Sequence, residues 1–314
     1  MRLEDTKKTF DHLLHEMNKV IVGMDEVLKQ MLVALLTNSH AILEGYPGLA
    51  KTLSIKTMAQ LLSLKFSRIQ NTPDLMPSDI TGTYIIEETT TGKRTFKFQP
   101  GPVFANVILA DEINRATPKT QSALLEAMQE KQVTLGRTTF KLEKPFFVLA
   151  TQNPIEQEGT YPLPEAQTDR FLLKIKVNYP SIEEEEKIVD RFTGKETISS
   201  IKKVFDEKDI EKFQQYVKEV PIASDLKKRV LKIVNLTRTE KSLIEYGASP
   251  RASLGLVLAA KASALISGRN YVSKEDIDKM AYPVLRHRII LNFEAERKGL
   301  STDDAVKQLL DKAR

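Results

Sequence analysis

The chain has 314 residues, a formal net charge of +5, 41% hydrophobic and 28% charged residues, and no cysteine. That length allows two ordinary domains or one large one with a full core, and the lack of cysteine excludes a disulfide framework and thiolate metal sites, as suits a reducing cytoplasm. The charge is too small and dispersed to demand nucleic acid, no run of about 18 apolar residues predicts a membrane span, and Met1–Lys8 lacks the apolar run of a signal peptide.

In chain order, residues 10–38 are predicted as two helices broken at Gly23. In the second, Val27, Leu28, Met31, Leu32, Leu35 and Leu36 recur at helical spacing and mark a core-facing stripe. His12 and His15 lie three apart on the first helix with no other ligand nearby, which predicts a solvated face. A short buried strand over 41–44 runs into Gly45, Tyr46, Pro47, Gly48, Leu49, Ala50, Lys51 and Thr52, and a helix follows over 51–62. Strand, glycine loop, Lys-Thr and helix form a phosphate-binding loop: backbone N–H groups and the helix N-terminus face the phosphates. Lys51 then reaches the β- and γ-phosphates and the Thr52 hydroxyl ligates Mg²⁺. The plainer alternative is a strand–turn–helix with a surface lysine, and Ala50 stands where the general pattern has glycine.

Strands are next expected at 65–70, 106–110, 146–151 and 171–177, with a helix at 117–130. This alternation predicts a parallel sheet covered on both faces. Two hairpins interrupt it, one over 82–98 turning at Thr91-Gly92-Lys93 and one over 132–142 turning at Gly136. The strand 106–110 delivers Asp111 and Glu112, which suit a Mg²⁺ water shell and a polarised attacking water; a helix N-cap is the alternative. Asn153, at the end of strand 146–151, can hydrogen-bond that water and the γ-phosphate, or serve as a turn residue before Pro154. Arg170 can neutralise phosphoryl charge, a contribution of about 10³–10⁵ in rate when supplied as a finger, or form a surface pair with Asp169. Past Pro180-Ser181 the texture turns helical, with candidates at 181–192, 207–219, 224–238, 249–267 and 274–290, so a domain boundary is placed near 180.

Four motifs in order, Gly45–Thr52, Asp111-Glu112-Ile113-Asn114-Arg115, Ala150-Thr151-Gln152-Asn153-Pro154 and Glu165–Phe171, together resemble the MoxR family of AAA+ ATPases. The run from Asn153 to Gln167 is the most specific part, and Ala50 before the lysine is common in that family. The resemblance implies an α/β P-loop core over 1–180 and a smaller all-α lid over 181–314, with ATP and Mg²⁺ as cofactors. It implies that Asn153 is sensor 1 and Arg170 the arginine finger, and that Arg251, opening a long helix at Ser249-Pro250, is the sensor 2 arginine reaching the γ-phosphate from the second domain. Val22 and Gly23 match the segment lining the adenine pocket; a Val-Gly turn between helices is the alternative. Arg115 is a candidate for contact with a neighbouring subunit.

A finger on the far face of a domain serves another subunit, so the resemblance implies a hexameric ring, working as a cytoplasmic, chaperone-like ATPase on protein clients that the hairpins touch; simple sheet-edge decoration is the alternative for the hairpins. Partners with von Willebrand factor A domains are implied by the family alone. A nucleic-acid motor and a magnesium-chelatase-like ATPase subunit are the other readings. Against the motor, hairpin 82–98 carries Lys93, Arg94 and Lys97 beside Glu87 and Glu88, without an aromatic ladder.

Overall fold

The computed structural model describes residues 3–88, 94–155, 159–194 and 201–313. The expected turn at Thr91-Gly92-Lys93, and Glu156, Gln157 and Glu158 of the 153–167 run, lie outside them. Helix α1 spans Leu3–Asn18, starting earlier than expected, and α2 spans Asp25–Leu36. Phe10, Leu13, Leu14 and Met17 put one stripe of α1 into the core. Gly23, between the helices, has φ +72°, and a Cβ there would lie 2.5 Å from Glu184 Cδ.

Next come β1 (Ala41–Gly45), α3 (Lys51–Leu61), β2 (Phe66–Gln70), α4 (Pro77–Thr81), β3 (Gly82–Glu88), β4 (Arg94–Pro100), β5 (Val107–Asp111), α5 (Pro118–Glu130), β6 (Gln132–Leu135), β7 (Thr138–Lys141), β8 (Phe147–Gln152), α6 (Glu165–Thr168) and β9 (Leu173–Val177). Five strands pair in parallel in the order β2-β5-β8-β1-β9. Their side chains alternate between two cores. Leu43, Val107, Leu109, Phe147 and Leu149 join α1, α2 and α3, whereas Ile42, Ile108, Ala110, Val148 and Ala150 meet Leu124, Leu125 and Met128 of α5. With both faces covered, the central strands β1, β5 and β8 are mostly apolar, whereas the edge strands β2 and β9 carry polar residues. Every loop leaving a strand's carboxyl end opens on the same rim.

The hairpins stand off this sheet. In β3–β4, Tyr84 pairs with Phe98 and Ile86 with Phe96 on one face, so the hairpin does carry an aromatic row, contrary to the expectation of none. Near the base Phe98 stacks on Phe140 of β7 at 4.2 Å, which joins the two hairpins. Farther out Ile86 and Phe96 are 62% and 77% exposed. At the foot, a Cβ on Gly82 would lie 2.3 Å from Gln99 O and one on Gly101 2.3 Å from Ile80 O, so backbone packs on backbone there.

The second half comprises α7 (Ile182–Thr193), α8 (Glu207–Glu219), α9 (Ser224–Thr239), β10 (Ile244–Tyr246), α10 (Pro250–Ile266), α11 (Lys274–Leu285), β11 (Ile290–Leu291), α12 (Phe293–Arg297) and α13 (Thr302–Lys312). It is helical apart from the antiparallel ribbon of β10 with β11. Capping boxes at Ser181/Glu184, Asp206/Asp209, Ser273/Asp276 and Ser301/Asp304 start four of the helices. An apolar core continues across residue 180: Phe10 of α1 lies 5.0 Å from Phe213 of α8 and 5.6 Å from Phe205. No helix among the described residues is long and apolar enough to cross a membrane.

Candidate functional site

At the carboxyl rim, β1 ends in Gly45, where a Cβ would approach Val177 Cβ to 2.8 Å, so only glycine keeps β1 and β9 at this spacing. Gly48 has φ +82° with nothing within 4 Å of the position a Cβ would take, which leaves the backbone face open. Ala50 caps α3 in the left-handed region at φ 50°, a conformation costing a non-glycine residue about 1–2 kcal/mol. Lys51 Nζ donates to Gly45 O at 2.6 Å, folding back over the loop.

Across the rim, β5 delivers Asp111 and Glu112. One hydroxyl from β8 organises both: Thr151 Oγ1 donates to Asp111 Oδ1 at 2.6 Å and accepts from Glu112 N at 2.8 Å. Glu112 is left-handed at φ 53°, a second strained non-glycine position at this rim. Its carboxylate takes Arg115 Nη1 at 2.9 Å and Gln70 Nε2 at 3.2 Å. Arg68 binds Asp111 Oδ2 through Nη2 at 2.6 Å and Nε at 3.1 Å.

Two cavities meet at the loop. One, of about 400 Å³, is lined by residues 47–53, Asp111, Glu112 and Asn153. Thr52 and Asp111 thus offer oxygen ligands to the same space, which suits a hard divalent cation. Asn153 Oδ1 also accepts from Ile155 N at 3.3 Å, so turn and cavity wall coincide in one side chain. The other cavity, of about 440 Å³, is mostly apolar and runs from residues 47–50 to Val22, Gly23, Tyr179 and Phe192. Tyr179 stacks on Tyr46 at 4.9 Å and an 18° interplanar angle. Val22 and Gly23 are thus brought beside the loop, against a flat apolar wall that suits a base.

Arg170 and Arg251 are not brought there. Gly45, which opens the loop, pairs with Val177, whereas Leu172 N bonds His40 O beyond the other end of β1. Arg170 therefore lies past the amino end of β9, roughly 13 Å or more along the sheet from the loop. It is exposed beside Glu126, Gln129 and Glu130 of α5. Arg251, expected to reach the γ-phosphate from the second domain, instead has Nη1 3.4 Å from Asp169 Oδ2, next to Arg170. The cause is local: Asp169 places negative charge at the α10 N-terminus, where a cation alone is unfavourable.

Thr151, Arg68 and Gln70 belong to the site and carry no motif of their own. Thr151 lies inside the Ala150–Pro154 motif, and only strand pairing brings the other two, at the end of β2, beside Asp111 and Glu112.

A model of the ATPase family associated with various cellular activities (AAA) matches residues 40–173, and an AAA lid domain model matches residues 237–309. The chain is similar to chaperone MoxR1 of Mycobacterium tuberculosis, 45% identical over 96% of this chain and 81% of that protein. It is 42% identical to YeaC of Bacillus subtilis, a protein described as uncharacterized, over 98% and 95% of the two chains. A crystal structure of a candidate ATPase from Cytophaga hutchinsonii superposes with a TM-score of 0.90 at 45% identity, covering 99% of this chain and 96% of that one.

Proposed function

This chain belongs to the MoxR family of AAA+ ATPases, and we propose that it hydrolyses ATP with Mg²⁺ in a ring and uses the cycle to remodel or activate a partner protein. The observation that carries this reading is the Thr151 clamp, which fixes Asp111 and Glu112 at the wall of the cavity that Lys51 and Thr52 also line. The phosphates lie against the α3 N-terminus, where backbone N–H groups converge, and the base lies in the apolar cavity against Val22, Gly23 and Tyr179. Lys51 exchanges the Gly45 carbonyl for the β- and γ-phosphates. Thr52 and Asp111 hold the metal ion, which when bound draws charge off those phosphates. Glu112 orients the attacking water and polarises it, and the Asn153 amide bonds that water and the γ-phosphate. Gln70 and Arg115 set where the Glu112 carboxylate lies.

Because Arg170 and Arg251 sit at the opposite rim, both are read as serving a neighbouring subunit's nucleotide, which requires a closed ring, taken as a hexamer. The exposed apolar residues of α7, Ile182, Val189 and Phe192, support a subunit contact beside the base cavity. The boundary near 180 is kept as the joint between core and lid, with both moving in the cycle in the cytoplasm. The exposed Ile86 and Phe96 support a protein client at the first hairpin, with von Willebrand factor A domains as one client class. The same hairpin disfavours a nucleic-acid motor, because Lys97 lies 3.0 Å from Glu87 and Arg94 4.0 Å from Glu88. The similarity to the M. tuberculosis chaperone favours a chaperone over a chelatase subunit.

The test is Glu112→Gln. The variant is expected to bind ATP normally and hydrolyse it about 10²–10⁴ times more slowly. Hydrolysis at the unchanged rate removes Glu112 from this role. Held in ATP, the same variant should retain its client in affinity capture.

A further inference from the structure

Asp169 is the residue before Arg170, and its carboxylate gathers three side chains from the second half of the chain. Oδ2 accepts from Ser249 Oγ at 2.9 Å and lies 3.4 Å from Arg251 Nη1, while Oδ1 accepts from Arg288 Nε at 2.8 Å. These contacts differ in kind. The Arg288 side chain is 3% exposed and also donates to the carbonyls of Leu172 at 2.9 Å, Phe171 at 2.5 Å, Asp169 at 3.3 Å and Val284. It ties the approach to β9 to the end of α11. Burial lowers the Arg288 pKa, and the hydrogen bond and charge of Asp169 oppose that shift. A buried cation of this kind depends on its anion. The Arg251 side chain is 56% exposed, and at 3.4 Å its contact aims the guanidinium without locking it. Ser249 completes the joint: its Oγ accepts from Arg251 N at 3.2 Å while donating to Asp169.

We propose that Asp169 is a positioning residue that holds Arg170 and Arg251 as one two-arginine edge for a neighbouring subunit's nucleotide. Through Arg288 it fixes the backbone from which Arg170 projects. Through Ser249 and Arg251 it seats the α10 N-terminus beside that finger. The inference rests on reading both arginines as acting across a subunit boundary. The bland alternative is that Asp169 only neutralises Arg288 within its own chain.

Mixed assemblies separate the two. Asp169→Asn keeps the shape and removes the charge. It is expected to bind ATP as wild type does and to hydrolyse it about 10²-fold more slowly, the scale of a misplaced reacting group. Lys51→Ala is expected to be inactive alone, because its own phosphate site is impaired. Mixing the two should restore hydrolysis: the Lys51→Ala chain supplies well-placed arginines to the intact loop of the Asp169→Asn chain. If Asp169→Asn fails to fold, Asp169→Asn/Arg288→Met removes both charges of the pair and goes through the same mixing, with the same rescue expected. Wild-type hydrolysis by Asp169→Asn overturns the proposal. So does a defect that Lys51→Ala does not rescue while rescuing Arg170→Ala, since Asp169 then supports only its own chain. If Arg170→Ala is itself not rescued, the reading across subunits falls and the inference with it.

Discussion

The two rims of the sheet are built on different principles. At the carboxyl rim, backbone geometry makes the site: glycine where β1 meets β9, left-handed turns at Gly48, Ala50 and Glu112, and one threonine between neighbouring strand ends. At the amino rim the backbone at Asp169 and Arg170 is ordinary, and side chains make the structure. Asp169 meets Ser249 at 80 residues' separation and Arg288 at 119. A site made by local backbone leaves a contiguous signature; one made by distant side chains leaves isolated charges.

The largest effect should come from the amino rim. Arg170→Ala should lower hydrolysis by about 10³–10⁵ while leaving ATP affinity intact. Mixed with Glu112→Gln, it should regain part of the rate; a fully active Arg170→Ala would erase the distinction between the rims. The same rim should also be sensitive to acid. His40 Nδ1 accepts from Val148 N at 3.0 Å, and burial, the main cause, pulls its pKa to about 4. The unfolded chain then binds the extra proton between about pH 4 and 6.5, so the contribution is whole above about pH 6.5 and lost as pH falls toward 4. It amounts to at most about 3 kcal/mol. Melting curves at pH 7 and 5 should show a larger drop for wild type than for His40→Gln, and equal drops would remove His40 from the account.

At the carboxyl rim, Thr151→Val keeps the bulk and strands Glu112 N–H. We expect a loss of about 1–3 kcal/mol in denaturant unfolding and a fall in kcat with little change in KM. A change confined to KM would mean that Thr151 does not organise the acidic pair. The smallest effect should be Tyr179→Ala, which removes the stacked wall of the base cavity. KM for ATP should rise about three- to tenfold at unchanged kcat, from the roughly 0.5–1.5 kcal/mol of an aromatic pair. An unchanged KM would place the base elsewhere.

The core strands were legible because both faces are covered, so each reads as an apolar run; β1, β5 and β8 lie within one residue of expectation. The start of α1 was missed because Leu3–Thr9 is mostly polar and shows no stripe. The short α4 and the β10–β11 ribbon were missed because tertiary packing rather than local pattern defines them, whereas α13 carries a readable signature in its Ser301/Asp304 capping box and its stripe of Ala305, Val306, Leu309 and Leu310. At the site, the loop and acidic pair were readable from spacing. Arg68 and Gln70 became visible only through the pairing of β2 with β5, and the placement of Arg251 only through Asp169.

The first hairpin can be regarded as a mechanical link. Its foot at Gly82 and Gly101 is a joint too tight to carry side chains, and the Phe98–Phe140 stack straps it to the second hairpin, which follows α5 directly. Beyond the strap, paired strands run out to Glu88 and Arg94. Seven residues of ladder give an arm of roughly 20 Å, so a rotation of about 15° at the foot sweeps the outer end through about 5 Å. The displacement of the outer end for a given rotation is therefore set by hairpin length. Lengthening or shortening β3 and β4 by matched pairs would change that displacement without touching a residue near the phosphate loop.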